Sequence, residues 1–197
     1  METYLLALTS YFVIIDPIGT AMIFHGLAGD DDRQYNLTMA FRSVIISSLI
    51  VLMFGFFGEA LLGKLGISIE ALRVAGGLLL FYTAFNMITQ KRQEQEKGQL
   101  KADISVYPLS IPLIAGPGCL TLTILLFSNA SARGLVPLIA AVITIYLFTL
   151  ACFLGSGLIS KMIGQTGDDI LRRLLGVVLA ALAIQFIADG IKQIAAF

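Results

Sequence analysis

Residues 108–119 read Pro-Leu-Ser-Ile-Pro-Leu-Ile-Ala-Gly-Pro-Gly-Cys, and they lie within a run, 104–132, that contains no Asp, Glu, Lys or Arg. A run this long and apolar is typical of a helix that crosses a lipid bilayer. The stretch also holds three prolines and two glycines. Proline lacks an N–H donor and its ring clashes with the preceding turn, so the helix is predicted to break here. The stretch therefore favours a membrane protein with an interrupted span.

The composition of the whole chain agrees with a lipid environment. Of 197 residues, 57% are hydrophobic and 13% are charged, and the mean hydropathy is +0.89, whereas soluble domains carry roughly 25% charged residues. Thirteen basic and thirteen acidic residues cancel, so no charge excess favours nucleic acid as a partner. His25 has no Cys, His or Asp at ligand spacing, so we expect neither a metal site nor a cofactor. The lipid bilayer is the partner that the composition predicts.

Six stretches are long and apolar enough to cross a bilayer. They are predicted to be helices, because unpaired strand edges cannot face hydrocarbon. The predicted fold class is thus an all-α membrane protein with six transmembrane helices, at approximately 4–27, 37–62, 71–88, 104–127, 135–159 and 171–194.

A weak internal repeat relates the two halves of the chain at an offset of 100 residues. It pairs Pro17 with Pro117 and Gly76 with Gly176, although glycine and proline also recur simply because membrane helices tolerate them. Three spans per half would make the second copy enter from the opposite face, which gives the inverted 3+3 repeat of many transporters, with the first helix of each half broken. The predicted organisation is one integral membrane domain, 1–197, with half-repeats 1–90 and 104–197 joined by the polar linker 91–103.

The first predicted break is at Asp16-Pro17-Ile18-Gly19-Thr20, about halfway along the first span. A carboxyl group at this depth costs about 2.5 to 3.5 kcal/mol on insertion scales, so we expect Asp16 to face protein or a wet cavity. Asp before Pro is also a usual helix start, and a capping role for Asp16 is compatible with a cavity.

Helices that restart at Pro17 and Pro117 would point two N-termini toward the bilayer midplane, where their free N–H groups suit a carboxylate. Asp16 would then take an ammonium group or a proton. Asn86 and Gln185 lie at similar depth, although amides in spans also join helices. Asp16 and Asp189 are the candidates for proton coupling. The candidate substrate-binding residues are Asp16, Pro17, Gly19, Thr20, Ser110, Gly116, Pro117, Gly118, Thr121, Asn86 and Gln185.

Lys and Arg are distributed unequally between the two predicted sides. By the positive-inside rule the richer side is cytoplasmic, so both termini are predicted to lie outside. The richer side collects Arg33, Arg42, Lys91, Arg92, Lys97, Lys101, Lys161, Arg172 and Arg173, against Lys64, Arg73, Arg133 and Lys192 on the other.

The two break motifs resemble those of the MarC family of bacterial inner-membrane proteins. Residues 16–24 are similar to its Asp-Pro-x-Gly-Asn-x-Pro-Ile-Phe motif, with Thr20 in place of Asn and Met22 in place of the second Pro, and residues 111–118 match Ile-Pro-x-x-Ala-Gly-Pro-Gly in full. The resemblance implies an inverted 3+3 fold related to LysE-type amino-acid exporters, a location in the inner membrane, and transport of small neutral amino acids such as glycine and alanine.

We therefore expect a secondary transporter of small neutral amino acids, with proton or sodium as coupling ion, rather than an enzyme, since no nucleotide-binding motif is present. Two alternatives remain: a translocase of a lipid-linked or hydrophobic compound, and a membrane scaffold without transport. The sequence leaves homo-oligomer formation open.

Overall fold

The secondary structure follows directly from the apolar runs, because a helix satisfies its own backbone polar groups where water is absent. A computed structural model of the protein describes residues 2–28, 33–89, 103–130 and 132–195, and every secondary-structure element within these ranges is a helix. The predicted linker 91–103 lies outside the described residues, apart from Asp103. The elements are α1 (Glu2–Ile15), α2 (Pro17–Ala28), α3 (Arg33–Lys64), α4 (Ile69–Thr89), a π-helical segment called here the π segment (Ser105–Ile114), α5 (Pro117–Ser128), α6 (Ala132–Leu154) and α7 (Ser156–Ala195).

The first span is broken at Asp16, as the sequence predicts. The N–H of Asp16 still donates to the carbonyl of Phe12 at 3.0 Å, but Asp16 itself has a φ of 47°, in the left-handed region that few residues other than glycine adopt. Pro17 opens α2, because its fixed φ suits the first helical position and its missing N–H costs nothing there. The two helices thus meet at one non-helical residue.

The second break spans the π segment and the start of α5. Tyr107 and Ile111 have extended backbone torsions, with φ and ψ of −123° and 128° and of −128° and 124°. Each of them precedes a proline, which disfavours the helical conformation of the residue before it. The helix then stops at Ala115, where the N–H donates to the carbonyl of Ser110 at 2.9 Å, and α5 begins at Pro117 with Gly116 as its extended N-cap.

The number of spans differs from the prediction of six. Among the described residues, five helices are long and apolar enough to cross a membrane: Glu2–Ala28, Arg33–Lys64, Ile69–Thr89, Gly134–Leu154 and Asp169–Ala195. The predicted fourth span is divided between the π segment and α5, and neither piece alone reaches the length of a bilayer. The six-span count is therefore not confirmed.

Helices α4 and α7 form the most extensive helix pair. Glycines let their backbones approach closely: a Cβ atom on Gly77 would lie 2.8 Å from the Ala183 carbonyl oxygen, and one on Gly190 would lie 3.0 Å from the Glu70 carbonyl oxygen. Small residues serve this purpose in membrane helices, because association there depends on van der Waals packing rather than on the hydrophobic effect.

Several other helix contacts come in matching pairs. Helix α1 packs on α6, and the π segment packs on α3; α2 packs on α6 and α7, and α5 packs on α3 and α4. Exchanging the helices α1 to α4 for the π segment, α5, α6 and α7, in this order, converts each of these contacts into another of them, whereas the smaller contacts of α7 with α1 and with α6 have no counterpart of similar size.

Buried hydroxyl groups join the two halves in the interior. The hydroxyl of Tyr11 on α1 donates to Oγ1 of Thr123 on α5 at 2.9 Å, and the hydroxyl of Tyr146 on α6 donates to the Ser47 carbonyl on α3 at 3.4 Å. Hydrogen bonds of this kind satisfy polar groups that lipid cannot.

The outer surface carries large apolar side chains. Phe57 on α3, Tyr82 on α4 and Val136 on α6 are 67%, 64% and 72% exposed. Exposure on this scale would promote aggregation in water but suits lipid acyl chains.

Candidate functional site

The carboxylate of Asp16 caps the N-terminus of α2. The backbone N–H of Gly19 donates to Asp16 Oδ1 at 3.1 Å. The carbonyl of Asp16 accepts the backbone N–H of Thr20 at 2.8 Å and its Oγ1 hydroxyl at 2.9 Å. A side-chain oxygen bonded to the third N–H of a helix is the usual geometry of an N-cap, and the positive end of the helix dipole stabilises a negative charge there. The capping role that the Asp-Pro pair predicts is thus observed.

Gly19 provides the space that the Asp16 carboxylate occupies. A Cβ atom on Gly19 would lie only 2.2 Å from Asp16 Oδ2 and 2.8 Å from its Cγ, far inside van der Waals contact. Any larger residue at this position would displace the carboxylate. The Asp-Pro-x-Gly spacing is therefore explained by the geometry of the cap.

A cavity of about 220 Å³ lies against this cap. Asp16, Gly19 and Thr20 form one side of it, and Thr83 and Met87 of α4 form another. The cavity is thus located at the first helix break, with a carboxylate and two hydroxyl-bearing side chains in a largely apolar wall. The sequence predicts such a cavity at Asp16.

The cavity also contains a residue that the sequence reasoning did not select. Arg172 of α7 lines it together with Leu113 of the π segment. From the sequence, Arg172 is placed at the cytoplasmic end of the sixth predicted span, 171–194, and is counted only for orientation. In the structure α7 has a non-helical residue at Gly164, with φ of 63° and ψ of 175°, and is helical beyond it. Arg172 is therefore part of a membrane helix, half-buried beside the cavity.

The predicted residues of the second break serve packing and backbone geometry. The hydroxyl of Ser110 is buried and donates to the carbonyls of Ser43 and Ser105 at 3.1 and 2.6 Å. A Cβ atom on Gly118 would lie 2.5 Å from Leu80 Cδ2. Among the described residues that line the cavity, the π segment is represented by Leu113 alone.

Thr121, Gly116 and Pro117 also lie outside the lining of this cavity. The hydroxyl of Thr121 donates to the Pro117 carbonyl at 3.0 Å, and its methyl carbon would lie 1.8 Å from a Cβ atom on Gly76. Gly116 is buried, whereas Pro117 is exposed. A substrate contact for these residues stays a prediction.

The polar residues predicted late in the third and sixth spans lie apart from the cavity lining as well. The Nε2 atom of Gln185 donates to both carboxylate oxygens of Asp189, at 2.9 and 3.0 Å. The two residues are one turn apart on α7, and Gln185 is exposed. Asn86 is half-buried on α4. None of these three residues is among the described residues that line the cavity, and their binding and proton-coupling roles stay predictions.

An ion pair fixes the start of the second broken span to α3. Arg42 Nη1 lies 2.8 Å from Asp103 Oδ2, and Asp103 also accepts the N–H of Ser105 at 3.0 Å and its hydroxyl. The two Ser105 hydrogen bonds, and then the Arg42 charge, lower the pKa of Asp103 below its usual value. Both charged side chains are about half exposed, so the pair orients the π segment without a large gain in stability.

Long apolar helices, lipid-type outer surfaces and a first span broken beside a cavity define an integral, multi-pass helical membrane protein. The chain belongs to the MarC family: the profile described as "MarC family integral membrane protein" matches residues 1–195.

Relatives with similar sequences are found in both archaea and bacteria. A UPF0056 membrane protein of Archaeoglobus fulgidus is 33% identical over 98% of this chain and 94% of its own. The UPF0056 membrane protein YvbG of Bacillus subtilis is 33% identical over 93% and 91%. The UPF0056 membrane protein BU267 of Buchnera aphidicola is 36% identical over 92% and 88%. No solved structure matches the chain.

Proposed function

We propose that the protein is a secondary transporter of small neutral amino acids of the glycine, alanine and serine type. The observation that carries this proposal is the cavity of about 220 Å³ at the first helix break, which Asp16 and Thr20 line. Polar cavities at interrupted membrane helices are the usual substrate sites of secondary transporters.

The size of the cavity supports a small substrate. Its volume of about 220 Å³ corresponds to about seven water molecules at roughly 30 Å³ each. Glycine, alanine and serine have five to seven non-hydrogen atoms, so one such molecule would fill the cavity after displacing its water.

The chemistry of the wall supports an amino group in the substrate. The Asp16 carboxylate is the acceptor for an ammonium group, because it is the acidic member of the described lining residues. The Thr20 and Thr83 hydroxyls bring further polar atoms to the wall. An ionisable residue within a membrane helix costs free energy, and it is usually retained for a function of this kind.

The inverted 3+3 repeat is part of the proposal. Support comes from the larger helix contacts, most of which have a counterpart when the two halves are exchanged, and from a break in the first span of each half. The π segment and α5 together would make the fourth crossing and bring the total to six, because residues 105–128 would span about 30 Å or more. The two termini would then lie on the same side of the inner membrane, outside the cytoplasm.

Purified protein reconstituted in liposomes tests the function. We expect an imposed proton or sodium gradient to drive uptake of radiolabelled glycine, alanine or serine, and Asp16→Asn to reduce this uptake by at least about tenfold, because an amide does not pair with an ammonium charge.

Two results of this experiment contradict the proposal. If neither gradient drives uptake of the three amino acids, the substrate class is wrong. If Asp16→Asn transports at the wild-type rate under both gradients, Asp16 is neither the ammonium site nor the proton carrier. The conservative variant Asp16→Glu controls for the charge and is expected to retain part of the activity.

A lipid-linked substrate is the second candidate, and Arg172 in the cavity wall favours it, since a guanidinium binds phosphate well. The neighbouring Asp16 carboxylate and the small volume weigh against a phosphate headgroup. Transbilayer movement of a fluorescent anionic phospholipid in the same liposomes would separate the two candidates.

A further inference from the structure

Arg172 lies near the start of the span Asp169–Ala195, and it also lines the cavity at the first break. It is in the part of α7 that follows the Gly164 break and is half-buried. Its neighbour Arg173 is exposed. A cation directed into a polar cavity in a membrane protein is typically retained for a substrate or an ion pathway.

The cavity holds one charge of each sign among its described lining residues. Asp16 is the acid and Arg172 is the base. The Asp16 carboxylate also accepts the Gly19 N–H at 3.1 Å, so the cap keeps it at the edge of the cavity. A wall with one carboxylate and one guanidinium is complementary to a small molecule that carries one ammonium group and one carboxylate.

The helix N-termini, which the sequence favours as the carboxylate site, are less suited to that role. The N-terminus of α2 is already capped by the Asp16 side chain. The N-terminus of α5 begins at Gly116, which is not among the described residues that line the cavity. Arg172 is the group at the cavity with the charge and the donors for a carboxylate.

We propose that Arg172 binds the α-carboxylate of the amino-acid substrate and thereby determines that the transporter takes α-amino acids rather than simple amines. This inference rests on the proposed function and adds to it the residue that recognises the substrate carboxylate. Asp16 binds the ammonium group, and the planar guanidinium of Arg172 donates two parallel hydrogen bonds to the two carboxylate oxygens.

The apolar part of the wall sets a limit on the substrate side chain. Ile14, Ile23, Met87 and Leu113 line the same cavity as the two charged residues. These apolar neighbours suit a small neutral substrate side chain better than a charged one, because a charge buried among them would lose its hydration.

Competition binding to the purified wild-type protein tests the proposal without any variant. The probe is radiolabelled L-alanine. Unlabelled L-alanine is expected to displace it, whereas L-alaninamide, which lacks the carboxylate, and propionate, which lacks the ammonium group, are each expected to be weaker by roughly ten- to a hundredfold. If alaninamide competes as well as alanine, the carboxylate is not recognised and the proposal is overturned.

Variants of the two adjacent arginines locate the recognition. Arg172→Gln is expected to weaken alanine binding by roughly ten- to a hundredfold and to abolish the preference for alanine over alaninamide. Arg172→Lys keeps the positive charge but not the planar guanidinium group, so an intermediate affinity is expected. Arg173→Gln is the matched control, because it removes the same charge one residue away from an exposed position, and wild-type affinity is expected.

The outcomes distinguish this inference from the function on which it rests. If wild-type protein binds alanine, Asp16→Asn loses it and Arg172→Gln does not, the transporter assignment stands and the role of Arg172 is wrong. If the wild-type protein binds none of glycine, alanine and serine, both proposals fail. Should Arg172→Gln not fold, the alaninamide comparison on wild-type protein and the Arg172→Lys variant still decide.

Discussion

At the scale of single residues, Asp16 combines three roles that are usually separate. Its backbone takes a left-handed conformation with φ of 47°, which costs about 1 kcal/mol or more for a residue with a side chain. The carboxylate offsets this cost by capping α2 through the Gly19 N–H, since local hydrogen bonding is what allows Asp in this region. Asp16 also lines the cavity, so the break and the proposed binding group are one residue.

Gly19→Ala tests whether the position of the carboxylate matters for binding. The added Cβ atom would lie 2.2 Å from Asp16 Oδ2, so the carboxylate must move. We expect alanine uptake in liposomes to fall by about tenfold or more, as the ion pair with the ammonium group is lost. The melting temperature is expected to change little, because the loss of the cap, about 1 kcal/mol, is offset by the better helix propensity of alanine, also about 1 kcal/mol.

The matched control is Gly26→Ala on the same helix, where no atom lies within 4 Å of the added Cβ. Uptake by this variant is expected to equal that of wild type. Equal uptake by Gly19→Ala and Gly26→Ala would show that the carboxylate position is unimportant.

At the scale of helices, the α4–α7 pair depends on glycine for its close approach. A Cβ atom on Gly77 would lie 2.6 Å from Ile187 Cγ1 and 2.8 Å from the Ala183 carbonyl oxygen. A backbone oxygen cannot move aside as a side chain can, so the two helices would have to separate.

Gly77→Ala is therefore expected to destabilise the protein by about 1 to 3 kcal/mol, the usual cost of overpacking, measured as a lower melting temperature in detergent. Gly63→Ala on α3 is the control, since nothing lies within 4 Å of its added Cβ, and it is expected to be neutral or slightly stabilising. An unchanged melting temperature for Gly77→Ala would mean that the helices are not packed this closely.

The sequence is informative about helices and breaks because these depend on neighbours in the chain. Asp16-Pro17 and the prolines at 108, 112 and 117 disrupt helices by local sterics, and both breaks are observed. The part of the site that could not be predicted is Arg172, because a basic residue at the end of an apolar run is equally compatible with a loop and with a cavity. Its role depends on the packing of α7 against α2 and α4, which no local pattern encodes.

At the scale of the whole molecule, the two halves differ in one respect. Thr83 lines the cavity at the first break and is exposed, whereas its counterpart in the second half, Ala183, is 0% exposed. The counterpart of the cavity residue Ile23 is Thr123, which is also 0% exposed. In the inverted-repeat transporter proposed above, in which one half would rock against the other, this asymmetry would correspond to a state open on the side of Thr83.

Cysteine labelling tests this asymmetry and the orientation together. With Cys119 and Cys152 replaced by alanine, Thr83→Cys is expected to react with a membrane-impermeant maleimide in inside-out vesicles and not in right-side-out vesicles, because the positive-inside rule puts this end of α4 in the cytoplasm. Ala183→Cys is the paired variant and is expected to be protected in both preparations. Labelling of Thr83→Cys from the outside only would reverse the orientation.

The opposite charges of Asp16 and Arg172 in one cavity have an electrical consequence. Moving one elementary charge through a potential of 100 mV involves about 2.3 kcal/mol, but an acid and a base together carry no net charge, and neither does a zwitterionic substrate. When both groups are ionised, the proposed site therefore has no net charge for the membrane voltage to act on, whether it is empty or loaded with a zwitterion. Any dependence of uptake on voltage would then report the charge of the proposed coupling ion, including a proton carried by Asp16.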